Sequence, residues 1–420
     1  MVKIQPGVQL SVVHTTQFKT TRIAVHFLAP LNGANVAART LLTSVLETAS
    51  QKYPTQAQLS AHLEAMFGAS FGIGVGKEGT LHRVSASLNL LNDRFAQEDL
   101  LAQGFALLKE VLLQPLFGKS GFDTDLFDRE KHNLMLYLQS LQEDRQTQAS
   151  LALQRVYFQG DPAQATPSFG TAELLDTVTN ADLLATYQAM LAQDRIEIVV
   201  LGDVDEAQVV QLAKALDFAP RTVAAQDLTV TTPAAALRQQ VETAPVLQAK
   251  LNLAYRVPVS FYGPDHYAAV VANDLFGGSP LSKLFTNVRE KASLAYYASS
   301  SLDGLRQLMT VQTGIDGENA PRVQELIQAQ LKQVQQGDFT DARLAEIKAG
   351  LVSNRETAYD SPRFLARQAL LRALLPSQPQ SLAEYVAGIN AVDRHQVMQA
   401  AMQMQLAAVY CLKGGQDRAD

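Results

Sequence analysis

One cysteine, Cys411, serves a chain of 420 residues. No disulfide framework can be built from it, and a buried inert thiol in the strand-like stretch AAVYCLK is its expected role. Long apolar runs are missing too, so nothing reaches the roughly 20 residues that a bilayer span needs. The opening stretch, MVKIQPGVQLSVV, has neither an extended apolar core nor a small-residue cleavage site. No signal peptide is therefore expected, and the cytoplasm is the expected location. Basic blocks are absent: 35 Lys and Arg are mixed with 41 Asp and Glu for a net charge of −6, which argues against nucleic acid as a partner.

Histidine is sparse and scattered. The seven are His14, His26, His62, His82, His132, His266 and His395, and no two lie within five residues of each other. The local His pair on adjacent helical turns that serves catalytic zinc is thus missing in both its orientations. His62 and Glu64 stand two apart and would point in different directions on a helix. Ser44 and Ser279 lack a Gly-x-Ser-x-Gly setting and a neighbouring His, which argues against a serine hydrolase.

What is present is a core-forming composition, 47% hydrophobic and 18% charged, in a chain long enough for at least two domains. The order of its segments repeats. A β-rich run at 23–28 leads through a loop into an apolar helix at 37–49, and a run at 251–257 leads likewise into a helix at 266–276. Each is followed by two strand-like runs, the first pair around Gly76-Lys77-Glu78-Gly79 and the second around Asp303-Gly304. Each half then has one helix, a longer helical region (123–158 and 341–375) and a closing helix before a final strand. Helix starts are read at Thr179-Asn180-Ala181-Asp182 and Asn390-Ala391-Val392-Asp393. The reading is an α+β chain of two similar domains, each an antiparallel-rich sheet packed against helices. Its boundaries are 1–218, an Ala/Thr/Pro-rich exposed linker at 219–238, and 239–420.

The second half carries Gly277-Gly278, Ser282, Leu284-Phe285, Val288-Arg289-Glu290-Lys291 and Leu294-Ala295-Tyr296 in that order. This series resembles the second domain of the pitrilysin/insulinase family of zinc peptidases, and the resemblance extends over nearly the whole chain. It implies a clamshell half of two homologous domains. It also implies an inverted His-x-x-Glu-His motif on the first helix, with a further Glu on a later one. Here Ser44 and Thr48 stand at the two His positions and Glu47 at the general-base position. Arg129-Glu130-Lys131 match the later helix, and Tyr137 replaces the third ligand. The chain is therefore expected to carry no metal and no cofactor. Glu47 alone reads either as a remnant of the base or as a helix-surface carboxylate.

FGIGVGKEGT fails as a phosphate loop, because Phe71 stands where its first Gly belongs and Glu78 where Ser or Thr should follow the Lys. It reads as a Gly-rich strand pair in which Gly72, Gly74 and Gly76 leave room for another backbone. By resemblance the edge Phe71-Gly72-Ile73 would receive an extended peptide as an added strand. Arg289 offers a fixed fork of donors and Tyr296 a hydroxyl, which together suit holding a scissile carbonyl and its developing oxyanion. The competing reading pairs Arg289 with a carboxylate such as Glu290 and packs Tyr296 in a strand, with Tyr297 on the opposite face. The resemblance implies a zinc-less subunit that works with a zinc-bearing paralogue. Gly277, Gly278, Arg289 and Tyr296 would then serve peptide substrate. The alternatives are a scaffold or peptide-binding protein, including a homodimer, and an enzyme with a rebuilt metal site. Mitochondrial processing peptidase and several bacterial two-chain peptidases follow the first plan.

Overall fold

Alternation of apolar with polar or small residues over 71–76 (FGIGVG) and 83–90 (RVSASLNL) specifies strands, and the chain forms them. The computed structural model describes residues 1–224, 226–231, 236–376 and 381–414. Two compact units are present, and neither is a contiguous half of the sequence. The first comprises Met1–Gln139, Pro167–Asp227 and Ala358–Pro379; the second comprises Ser140–Thr166, Leu228–Thr357 and Gln380–Asp420.

In the first unit, β1 (Val2–Gln5), β2 (Val8–His14), β3 (Thr20–Pro30), β4 (Ser70–Glu78), β5 (Leu81–Leu91) and β6 (Arg195–Gly202) form one sheet in the order β1-β2-β6-β3-β5-β4. Only β2 and β6 run parallel. In the second unit, β7 (Arg238–Ala244), β8 (Ala249–Arg256), β9 (Ala295–Asp303), β10 (Leu308–Ile315) and β11 (Gln405–Gly414) follow the order β7-β11-β8-β10-β9, with only β7 and β11 parallel. The two orders coincide strand for strand once β1 is set aside, so the repeat in segment order is a repeat of topology. Cys411 lies buried in β11 as a free thiol, and burial raises its pKa.

Each sheet has helices on both faces. In the first unit, helices Val36–Thr48, Leu100–Leu113 and Asn180–Gln193 cover one face, and the late helix Pro362–Leu374 covers the other. In the second, the main core joins the sheet to segments around 266–276, 320–335 and 385–401. The early helix Arg145–Tyr157 makes a separate core on the opposite face with Tyr410, Leu412 and Ala254.

Several expected elements shift in detail. The region 123–158 resolves into helices Thr124–Ser140 and Arg145–Tyr157, because Asp144 caps the second by accepting from Gln146 N at 2.9 Å and Thr147 N at 3.2 Å. The region 341–375 likewise breaks at Ser361-Pro362, where the Ser side chain caps the helix that Pro begins. β4 continues through Glu78, and the hairpin turns at Gly79, whose φ of +60° favours glycine. Both starts hold, but with Asn or Asp expected near the N-cap the first is capped by Thr179, in a capping box with Asp182, and the second by Asp393, paired with Gln396. The 219–238 connection is less exposed than its composition suggested: Arg221, Leu228 and Val230 are all buried, and Val230 N donates to Leu305 O at 2.8 Å. Within that connection Ala225 and residues 232–235 lie outside the described set, and Arg238 already belongs to β7.

Candidate functional site

Ser44, Glu47 and Thr48 lie together on the last turns of helix Val36–Thr48. The Thr48 hydroxyl donates to the backbone oxygen of Ser44 at 2.8 Å, the usual fate of a helical Thr. Tyr137, on helix Thr124–Ser140, is exposed. Glu130, one turn into that helix's middle, is buried and accepts from Arg129 Nε at 3.0 Å. Two hydroxyls and an exposed phenol do not make a zinc donor set, which needs imidazole, thiolate or carboxylate. Among the described residues no group of three or more His, Cys, Asp or Glu could hold a metal ion. The residues present do not fit the family's zinc.

Glu47 has a definite role. β4 is the edge strand of its sheet, and the Ile73 N–H faces away from β5. Glu47 Oε2 accepts that N–H at 2.8 Å. Burial raises the Glu47 pKa, the Ile73 N–H draws it back, and the Glu130 carboxylate raises it further. The carboxylate thus closes a donor that an added strand would otherwise take. The Ile73 side chain is buried, whereas Phe71 and Gly72 are half-buried beside it.

In the second unit, helix His266–Asn273 passes into a π-turn, Asp274–Gly278, and a second π segment, Leu284–Lys291. Gly277 is required by packing: a Cβ there would lie 2.6 Å from Leu284 Cδ1 and 2.9 Å from the Ser300 backbone nitrogen on β9. A Cβ on Gly278 would meet Asp274 Oδ1 at 2.7 Å and Asn273 Nδ2 at 2.9 Å. Both glycines therefore let the turn close against its own neighbours.

Arg289 is exposed on the second π segment, with its guanidinium carbon 4.5 Å from the Phe285 ring centroid. Among the described residues it forms no ion pair, with Glu290 or any other carboxylate. Tyr296 sits on β9, the edge strand of the second sheet. Opposite it the register slips: Gly314 faces Tyr297 and Ile315 faces Ala295, leaving Tyr296 as the extra residue of a β-bulge. The bulge re-aims the side chain, and Tyr296 is 68% exposed. Tyr297 differs. It is half-buried, its hydroxyl donates to Gln146 Oε1, and burial pushes its pKa up to about 12.

Residues 177–351 match the family described as Peptidase M16 inactive domain. The chain is 30% identical over 416 residues to a Bacillus subtilis protein named "Probable inactive metalloprotease YmfF", covering 97% of this chain and 96% of that one. This chain belongs to the M16 peptidase family. It is an inactive, peptidase-like member, in keeping with the pitrilysin/insulinase resemblance of its motifs. A crystal structure of a conserved protein from Enterococcus faecalis V583 superposes on this M16 chain with a TM-score of 0.95, at 41% identity and 99% coverage of both. A second B. subtilis relative, named "Uncharacterized zinc protease YmxG", is 23% identical over 300 residues, covering 70% of this chain and 71% of that protein. No helix among the described residues of the M16 chain is long and apolar enough to cross a membrane.

One feature of the M16 chain lies outside the motif positions. The face of the first sheet turned toward helix Pro362–Leu374 is polar, with Arg22 and His26 on β3 and Arg83, Ser85, Ser87 and Asn89 on β5. Period-two alternation in RIAVHF and RVSASLN already carried this signal, but only strand register brings the polar rows together.

Proposed function

We propose that this chain is the zinc-less subunit of a two-chain M16 peptidase, binding extended peptide and presenting Arg289 and Tyr296 to the site of a zinc-bearing paralogue. One observation carries the reading: Tyr296 is lifted by a β-bulge to 68% exposure, on the same motif as an exposed Arg289 with no carboxylate partner among the described residues. Among the described residues Arg289 forms no ion pair and only stacks on the Phe285 ring, and Tyr296 stays exposed. A fixed guanidinium and a phenol suit a peptide carbonyl and the oxyanion formed from it.

Mixing the purified chain with a zinc-bearing paralogue is expected to raise the rate of peptide hydrolysis above that of the paralogue alone. Arg289→Ala is expected to lower kcat by about 100-fold and leave assembly intact, with Tyr296→Phe smaller in the same direction. No rate gain on mixing would sink the subunit reading, and unchanged kcat in both variants would remove the pair from the chemistry.

A second reading, a scaffold of the same fold without proteolysis, is favoured by Glu47. Its bond to Ile73 N–H occupies the β4 edge where a peptide would add. If peptide joins there, Glu47→Ala is expected to tighten peptide binding about threefold or more, as one competing charge-assisted bond is lost. Unchanged affinity would place the peptide elsewhere.

A further inference from the structure

A cavity of about 600 Å³ lies within the first unit, between the polar sheet face and helix Pro362–Leu374. Its size suits a small organic ligand. Four guanidiniums line it: Arg22 from β3, Arg83 from β5, and Arg363 and Arg367 from the helix. Among the described residues, Glu78 is a carboxylate that answers two of them. Glu78, 1% exposed at its side chain, accepts from Arg83 Nε at 3.0 Å and from both terminal nitrogens of Arg367, that of Nη2 at 2.8 Å. Arg363 has no carboxylate partner among the described residues. Guanidiniums stay charged, so their mutual repulsion remains in the cavity. Burial and the neighbouring Arg363 both lower the Arg22 pKa; burial lowers that of Arg83, Glu78 draws it back up, and Arg367 and Arg363 lower it further.

Two buried polar groups in the cavity wall are also unsatisfied. His26 is only 6% exposed, yet neither ring nitrogen has a hydrogen-bond partner. Burial, then Arg83, Arg22 and Arg367, hold its pKa well below the usual range, so the ring is neutral and keeps one N–H to donate. Arg22 gives Nη1 to Asn89 Oδ1 at 2.7 Å and Nη2 to Ser87 Oγ at 3.0 Å, but its buried Nε has no acceptor. Orphaned buried donors are costly unless something accepts from them. On the strand beside them two glycines line the cavity: a Cβ on Gly74 would touch nothing within 4 Å, and one on Gly72 only Glu47 Oε1 at 3.9 Å. Gly72 and Gly74 have no other backbone of the described residues within 4 Å of where a Cβ would stand. They leave the cavity open.

We infer that this cavity binds a small multiply charged oxyanion, a polycarboxylate or a phosphate ester, held by Arg22, Arg83, Arg363 and Arg367 with His26 as a neutral donor. The inference does not depend on partnership with a peptidase, and its test uses the chain alone. Calorimetric titration at fixed ionic strength with inorganic phosphate and, separately, with citrate should show saturable one-to-one binding of at least one. Binding of phosphate alone assigns the phosphate-ester class, and binding of citrate alone the carboxylate class. Arg363→Ala, on an exposed helix position, is expected to weaken binding about tenfold or more. Gly74→Val fills the cavity without changing charge and is expected to abolish it, while Arg322→Ala, which belongs to the other unit, should leave it unchanged. A thermal melt confirms that each variant is folded. No saturable binding of either anion overturns the inference, and so does binding that Arg363→Ala and Gly74→Val both leave intact.

Discussion

Asp194→Ala is expected to destabilise the protein by about 3–5 kcal/mol, because it strands a buried charge. Asp194 Oδ2 lies 2.7 Å from Arg39 Nη2, with the two side chains 5% and 3% exposed. Burial raises the Asp194 pKa, and Arg39 pulls it back. Arg39 also donates Nε to His82 Nδ1 at 2.9 Å, which leaves the His82 proton on Nε2, donated to Ser168 O at 2.8 Å. The chain ties helix Val36–Thr48, β5, the 167–170 loop and the entry to β6 into one network. Bringing both ions out of water costs much of what their attraction returns, so the pair adds little over an apolar replacement. Removing one partner is different: Arg39 remains charged with nothing opposite. Urea unfolding of Asp194→Ala and of the double variant Arg39→Met/Asp194→Leu checks this. The double variant is expected to recover much of the loss. A loss under about 1 kcal/mol for the single variant would show that water reaches Arg39.

Acidification from pH 7 to 5 is the second large effect, and it acts through buried histidines. Burial, followed by Arg39, lowers the His82 pKa to about 4; burial, followed by Arg355, lowers His266 to about 4; and His26 lies well below its usual range. In the unfolded chain each titrates near 6.5. As pH falls below that, the unfolded state takes up protons that the folded state refuses, so stability present at neutral pH is lost toward about pH 4. Each His contributes a slope of about 1.4 kcal/mol per pH unit. Asp274 opposes them: burial raises its pKa to about 6, so below that value the folded state binds a proton the unfolded chain does not yet hold. Three protons against one leave a net loss of roughly 3 kcal/mol per pH unit below pH 6. Glu47, Asp194 and Glu197, all raised by burial, oppose it further at the acid end. Thermal melts across this range test it. His266→Phe keeps a ring among Phe261, Tyr262 and Tyr267 and should flatten the slope by one proton's share. A melting temperature that does not move between pH 7 and 5 would rule the mechanism out.

The motif from Gly277 to Tyr296 was readable in the chain, but its details needed coordinates. Gly277 and Gly278 were expected beside peptide, and packing against Leu284, Ser300 and Asp274 accounts for both. Arg289 could have paired with Glu290, and among the described residues it pairs with no carboxylate. The exposure of Tyr296 comes from a one-residue slip against β10, which no alternation pattern announces because a bulge interrupts the period that would reveal it. Glu47 had no account as a lone carboxylate. It acquires one only when β4 is known to be an edge strand with Ile73 N–H facing the helix.

A repeated α+β segment order and the M16 kinship follow from local patterns: period-two alternation, caps, segment order and residue identity. Those signals live within a few residues of each other, so one chain displays them. The division into units does not, since Ser140–Thr166 and Ala358–Pro379 each join the unit built mainly from the other half. The oxyanion cavity depends on that exchange. Arg367 meets Glu78 across 289 positions of sequence, and Arg22, Arg83 and His26 share a face only through the register of β3 with β5. Alternation tells which side chains of a strand lie on one side. Which sides coincide, and which helix roofs them, are decided by the packing that buries the most apolar surface across the whole chain.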